Sequence, residues 1–482
     1  MNKKLLSILL AMLFSYSPAA QQIIISRPDG TSLTTASIDA NVKRLMDTAG
    51  VTGLCLSIIN DNKIAYVKSY GYSNKAANQL NDTATYFDAA SFAKPLFVYL
   101  VMQFVDKGII NLDKPLYTYL PKPLPDYENY KDLSGDDRWK LITARNCLNH
   151  TTGFPNWRQL NPRNNQKLEI FFTPGERYAY SGEGIYLLQF VLETITKRQL
   201  EDLAQQNIFK PLGMHRTSFV WQPSFENNFA VGHDVSEDIL PKNKRTNANA
   251  AGSMETTIAD YSRFIAAVMR GDRLTKKSKQ EMLSPQIGIY TKRQFPSLNY
   301  DTTSANRKIQ LSYGLGWGLF HSPYGWVFFK EGHDDGWEHY CINFPDKGMS
   351  VIIMTNSSNG ESIFKELVEK ITGLTIPWEW EGYVPYKMSI NVPTGILAAY
   401  VGMYFMHGDS TLTITVSENK GRLFANTSFI REKLQFEFLS DTKFEFQHVM
   451  DVKGEFIVEP GKITKFTIDD KEHGVSEWIK VK

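Results

Sequence analysis

A serine and a lysine three residues apart can act as nucleophile and base when a helix places both on one face. Ser91-Phe92-Ala93-Lys94 is such a pair. It heads a stretch in which Leu96, Phe97, Leu100, Val101, Phe104 and Val105 recur at helical spacing, which predicts a helix buried along one side. A lysine desolvated there, near the positive end of the helix dipole, has a depressed pKa and can take the serine proton. Pro95 fits only a helix that is just beginning. The spacing alone is common, since Ser362–Lys365, Ser417–Lys420 and Ser440–Lys443 repeat it. Context has to separate the first pair from the copies.

The elements around the pair alternate between helix and strand. Residues 41–50 predict a helix, and residues 54–59 and 63–70 two strands joined at Asn60-Asp61-Asn62. Residues 113–137, rich in Pro, Tyr and Asp, predict a long ordered loop. Helices follow at 142–149, 185–196, 200–208 and 258–270, strands at 326–329, 340–343 and 349–355, and a helix at 362–371. Helices bracketed by antiparallel strands give an α+β fold, an antiparallel sheet flanked by helices. Residues 377–396 read as a linker. Beyond it, short alternating strands at 411–416, 422–426, 436–439, 444–448, 455–458 and 463–468 predict a small all-β barrel-like domain over 397–482.

The chain has 482 residues, 42% hydrophobic and 22% charged, with a formal net charge of +2. That balance suits globular domains and offers no electrostatic case for nucleic acid. Lys3 and Lys4, the apolar run 5–14 and the small residues up to Ala20 read as a signal peptide over residues 1–20, so a periplasmic or secreted location is expected. No later segment has the length of a membrane span. Cys55, Cys147 and Cys341 lie in apolar surroundings and read as inert packing residues.

In this layout residues 21–376 form a domain that, over roughly residues 40 to 375, resembles the serine β-lactamase-like hydrolases, which include class C β-lactamases, D-Ala-D-Ala carboxypeptidases and related esterases. The resemblance rests on ordered blocks: residues 53–59, Ala90 to Lys94, residues 106–113, Leu148-Asn149-His150-Thr151-Thr152-Gly153-Phe154-Pro155 and Pro211-Leu212-Gly213-Met214. Residues from 397 resemble the lipocalin-like domain appended to some members. Such a barrel holds an apolar ligand or braces the catalytic domain.

The resemblance implies an acyl-enzyme on Ser91, with Lys94 and Tyr180 moving protons. Tyr180 stands where the family has Tyr-x-Asn, and Gly182 replaces the asparagine that holds the acyl side of β-lactam or peptide substrates. Glu183 either replaces that contact or faces water. The third motif is expected at Gly332-His333-Asp334-Asp335-Gly336, with His333 supporting the tyrosine and the N–H groups of Ser91 and Gly336 forming the oxyanion hole. Asp335 beside the scissile bond should repel a substrate carboxylate.

The expected activity is therefore hydrolysis of a small-molecule ester or amide, without cofactor. The alternatives are a β-lactamase, a D-Ala-D-Ala carboxypeptidase or D-aminopeptidase, or a binding protein on a weakened scaffold. His333, Asp334, Asp335, Glu338 and His339 match no zinc or calcium spacing, so no metal is expected.

Overall fold

The computed structural model describes residues 23–459, 462–471 and 474–481, so the signal-peptide expectation lies outside the described residues. Its centre is a nine-stranded antiparallel sheet. In chain order the strands are β1 (Gly53–Asn60), β2 (Lys63–Asn74), β3 (Gln79–Leu80), β4 (Ile287–Gly288), β5 (Ser312–Tyr313), β6 (Gly318–Ser322), β7 (Gly325–Asp334), β8 (Trp337–Phe344) and β9 (Met349–Thr355). They lie side by side as β3-β2-β1-β9-β8-β7-β6-β5-β4. Strands β8 and β9 are buried along their whole length, because helices cover both faces of the sheet.

On one face pack α1 (Thr35–Ala49) and, from the far end of the domain, α5 (Phe364–Thr372), through Val42, Leu45, Leu367, Val368 and Ile371. On the other pack α2 (Ala93–Asp106) and α4 (Ile258–Arg270). Helix α2 is enclosed almost all round: Leu96, Phe97, Leu100, Val101 and Phe104 lie in the core as their spacing predicts. Truncating one of them, Leu100→Ala for instance, costs about 2–5 kcal/mol. Pro95 occupies the first turn, where no N–H is missed. A two-residue turn joins β1 to β2, with Asp61 and Asn62 both left-handed at φ 50° and 58°.

Local differences from the sequence reading have local causes. The helix expected at 142–149 starts at Ala144, because Thr143 and Asn146 form a capping box there. The helix expected at 200–208 runs as α-helix only over Leu200–Ala204 and continues as a π-turn over Gln205–Phe209. Within 377–396, Trp380 and Tyr383 pack into the sheet's core beside Ile376, so this connection is anchored.

The C-terminal part is a closed barrel of eight strands, β10 (Gly402–Met406) to β17 (Gly474–Lys480). The sequence reading missed these first and last strands. They close the barrel by pairing with each other, a contact between distant segments that local alternation does not report. Tyr400, Tyr404, Phe436, Phe444, Phe456 and Phe466 fill its interior, with the Tyr400 and Phe456 rings 3.8 Å apart. Aromatic side chains pack this interior.

Barrel cations dock on the acidic segment 234–238. Lys433 pairs with Asp234 at 2.7 Å and Asp238 at 3.0 Å, and Lys420 with Glu237 at 3.0 Å. Arg431 reaches Asp335 at 2.6 Å.

Candidate active site

Ser91 sits in a short 3₁₀ turn, Ala90–Phe92, that runs directly into α2. Ala90 is buried and left-handed at φ 46°, a strained entry that turns the serine out of the preceding strand. The turn is held from behind. Asp88 Oδ1 accepts the Ala90 N–H at 2.9 Å, and the Arg245 guanidinium bridges Asp88 to Asp334.

Lys94 is buried and donates to Ser91 Oγ at 2.9 Å and to the Ala251 carbonyl at 2.7 Å. Burial holds its pKa below the usual lysine range, with the Lys330 charge adding to the effect. A lysine in that state can accept the hydroxyl proton.

Tyr180 comes from the segment leading into α3 (Gly182–Thr196), and its ring centroid lies 5.0 Å from both Lys94 Nζ and Lys330 Nζ. Lys330 Nζ lies 3.3 Å from the Tyr180 hydroxyl. Burial alone would raise the phenol pKa, but Lys330, then Lys94, then the Ser91 hydrogen bond outweigh it, so it falls below the usual tyrosine value. Lys330 keeps its charge despite burial, because Glu331 Oε1 accepts from Nζ at 2.6 Å and raises its pKa.

The landmark His150 holds the tyrosine segment in place. Its carbonyl accepts from the Ala179 N–H at 2.8 Å and its Nδ1 from the Ser181 N–H at 3.2 Å. Its ring packs 4.3 Å from that of Tyr180, and burial keeps its pKa well below the ordinary histidine value.

The third motif needs correction. His333 was expected to support Tyr180, but three residues separate it from Lys330, an odd offset that sends the two side chains to opposite faces of β7. The His333 ring instead sits 2.6 Å from Glu338 and is largely exposed. The side chain that reaches Tyr180 from this strand is that of Lys330, three residues earlier.

Gly336 was expected in the oxyanion hole, but its N–H donates to Ser358 Oγ at 3.2 Å. The two-residue turn Asp335-Gly336 makes Asp334 and Trp337 the hydrogen-bonded closing pair. Alternate residues Asp334, Gly332 and Lys330 therefore turn their N–H groups toward β8, and Glu331 and His333 turn theirs the other way. Strand β6 ends its pairing at Phe329, so that edge of β7 is open beside the Ser91 turn. Gly332 faces the turn so closely that a Cβ there would lie 3.3 Å from the Ala89 carbonyl.

Asp334 and Asp335 are neutralised, by Arg245 at 2.7 Å and Arg431 at 2.6 Å, so the expected repulsion of a carboxylate loses its main source. At Gly182 a Cβ would overlap the Trp157 ring, and the Gly182 N–H donates to Asn156 at 3.0 Å. Glu183 does not face water: it is buried and paired with Arg158 through both oxygens, at 2.9 and 3.0 Å. Trp157 and Arg158 open onto a cleft of about 880 Å³ that Tyr186, Gln189, Arg245 and Asn249 also line.

Cys55, Cys147 and Cys341 are all buried, and burial raises their pKa, to about 12 for Cys55 and Cys341.

A family model described as Beta-lactamase matches residues 38–372. The chain belongs to the beta-lactamase family. Among its relatives, penicillin-binding protein 4* of Bacillus subtilis is 24% identical over 432 residues, covering 82% of this chain and 87% of that protein. The D-alanyl-D-alanine-carboxypeptidase/endopeptidase AmpH of Escherichia coli is 23% identical over 70% of this chain and 91% of its own length. A beta-lactamase of Pseudomonas fluorescens is also 23% identical, over 67% and 93%.

Among solved structures, the octameric penicillin-binding protein homologue from Pyrococcus abyssi superposes with a TM-score of 0.58 at 18% identity, covering 92% of this chain and 99% of that one. That likeness shows the fold, barrel included. As a beta-lactamase family member, the chain is of the serine hydrolase class. Among the described residues no helix is long and apolar enough to cross a membrane.

Proposed function

We propose that this beta-lactamase family member hydrolyses an ester or small amide through an acyl-enzyme on Ser91. The observation that carries the reading is the buried Lys94 amine, 2.9 Å from Ser91 Oγ, donating to the Ala251 carbonyl and held toward its neutral form by burial. Lys94 accepts the serine proton as Oγ attacks the carbonyl carbon. Tyr180, held toward the phenolate chiefly by Lys330, takes that proton from Lys94 and passes it to the leaving group. Lys330 takes the supporting role first assigned to the His333 side chain. The Ser91 N–H, in the first turn of its helix, and the His333 N–H on the open edge of β7 form the oxyanion hole. The protein works after export, on the strength of its N-terminal segment.

The neutralised Asp334 and Asp335 favour a second reading, a peptidase acting on D-amino-acid peptides, which agrees with what the AmpH relative is called. Gly182 weighs against it, because Trp157 fills the space of the missing amide. A fluorophosphonate probe at mildly alkaline pH tests the shared chemistry: it labels the protein on Ser91 and not the Ser91→Ala variant. An unlabelled folded protein overturns both readings. Chromogenic esters, D-amino-acid amides and a cephalosporin then separate them, and fast cephalosporin turnover refutes the weight placed on Gly182.

A further inference from the structure

On the face of β7 turned away from Ser91, side chains distant in sequence converge. His333 Nδ1 lies 2.6 Å from Glu338 Oε1 across the β7–β8 pair. The ligand atoms of His333, Glu338 and Glu361 all lie within 4.8 Å of one another. His448, which comes from the barrel, places its Nδ1 3.3 Å from Glu361 Oε1. Two carboxylates and two imidazoles thus share the seam between the hydrolase body and the barrel.

The hydrogen bonds around His448 point to a cation there. Asn359 Nδ2 donates to the carbonyls of Gly50 at 3.2 Å and Val235 at 3.0 Å, which fixes the orientation of its amide. Its Oδ1, 3.0 Å from His448 Nε2, is an acceptor, so the ring proton sits on Nε2. In a neutral ring Nδ1 then turns a lone pair toward the lone pairs of Glu361 Oε1. Something positive belongs between them, either a second proton or a metal ion. An imidazole whose other N–H is held by an oxygen acceptor is the arrangement that metal-binding histidines adopt. Glu338 is buried with Glu361 beside it and faces the His333 imidazole at 2.6 Å, so a metal ion here would replace a ring proton rather than add to it.

We propose that His333, Glu338, Glu361 and His448 bind one zinc ion. Mixed imidazole and carboxylate donors suit zinc; His333, Glu338 and Glu361 already converge, and His448 comes in from the barrel beside Glu361 as the fourth. Lying on the far face of β7, the ion takes no part in acyl transfer. It ties the β7–β8 hairpin, the segment after β9 and the barrel together. The ligands are spread from residue 333 to residue 448, so no local spacing shows them.

The test uses the tag-free full-length protein, stripped with a chelator and titrated with zinc sulfate. Binding is read by calorimetry and by elemental analysis after desalting. One zinc per chain is expected, with a rise in the unfolding midpoint when zinc is present. Glu361→Gln and His448→Ala should each weaken zinc affinity by about tenfold or more. Both variants should keep the wild-type circular dichroism and the fluorophosphonate labelling of Ser91, which shows that they fold. Substoichiometric zinc on the wild-type protein overturns the proposal and leaves a proton as the bridging charge. Unchanged affinity in both folded variants overturns it as well. Neither result bears on Ser91.

Discussion

Replacing Lys330 by methionine removes the cation nearest the Tyr180 hydroxyl and keeps most of the side-chain volume. At 3.3 Å and an effective dielectric of about 20, the ammonium favours the phenolate by about 5 kcal/mol. When Glu331, 2.6 Å from the same ammonium, is neutralised as well, the repulsion lost with it offsets roughly half of that, which leaves about 2–3 kcal/mol for the double variant. Tyr180 has a lowered pKa in the native site, so activity is present above its titration and is lost as pH falls through it. Without Lys330 that limb moves to higher pH, and in the double variant Lys330→Met/Glu331→Gln activity at neutral pH falls by about a hundredfold.

The assay is the second-order rate of Ser91 labelling, or kcat/KM on an activated ester, from pH 5 to 10. The single variant also leaves Glu331 without its partner in the core, which costs about 3–5 kcal/mol of stability. The double variant Lys330→Met/Glu331→Gln should recover much of that stability and keep the displaced limb. A limb that superposes on the wild-type one in the folded double variant would refute the role given to Lys330.

Three further outcomes are expected. Gly182→Ala drives a methyl group into the Trp157 ring and should destabilise by about 1–3 kcal/mol in denaturant unfolding, with relief when Trp157→Ala is added. Arg158→Ala strands the buried Glu183 carboxylate and should cost about 3–5 kcal/mol, while Arg158→Ala/Glu183→Gln should cost far less. Burial pushes the Glu255 carboxyl up to about 7 although Lys242 lies 2.7 Å away. The folded state therefore keeps a proton that the unfolded chain has lost. Its contribution to stability is full below pH 4.5 and disappears as pH rises to about 7, a decline of about 3 kcal/mol. Glu255→Gln should remove that slope, and an unchanged slope would count against it.

What could be read from the sequence was whatever a single helix or strand imposes. Ser91 and Lys94 are one helical turn apart, so their meeting needs only the helix that Leu96 to Phe104 specify. Tyr180 was found through its neighbours in the chain. Lys330 was missed because its role depends on where β6 stops and on Tyr180 arriving from another element. One local signal was available, a lysine directly after the apolar strand residues Val327 to Phe329, at an interior position where lysine is costly unless paired. The arginine partners of Asp334 and Asp335 lie far away in sequence, and no spacing rule brings them into view.

The docking of the barrel on Asp234, Glu237, Asp238 and Asp335 also shapes the field at the mouth of the site. A chain ending before the barrel would leave Asp234, Asp238 and Asp335 without the barrel's cations and Glu237 with Lys75 alone, next to the β7–β8 turn. Approaching anions would then be slowed before any contact with Ser91, and the effect would fade as salt screens it. The barrel thus brings a counter-charge to the acidic rim beside Asp335.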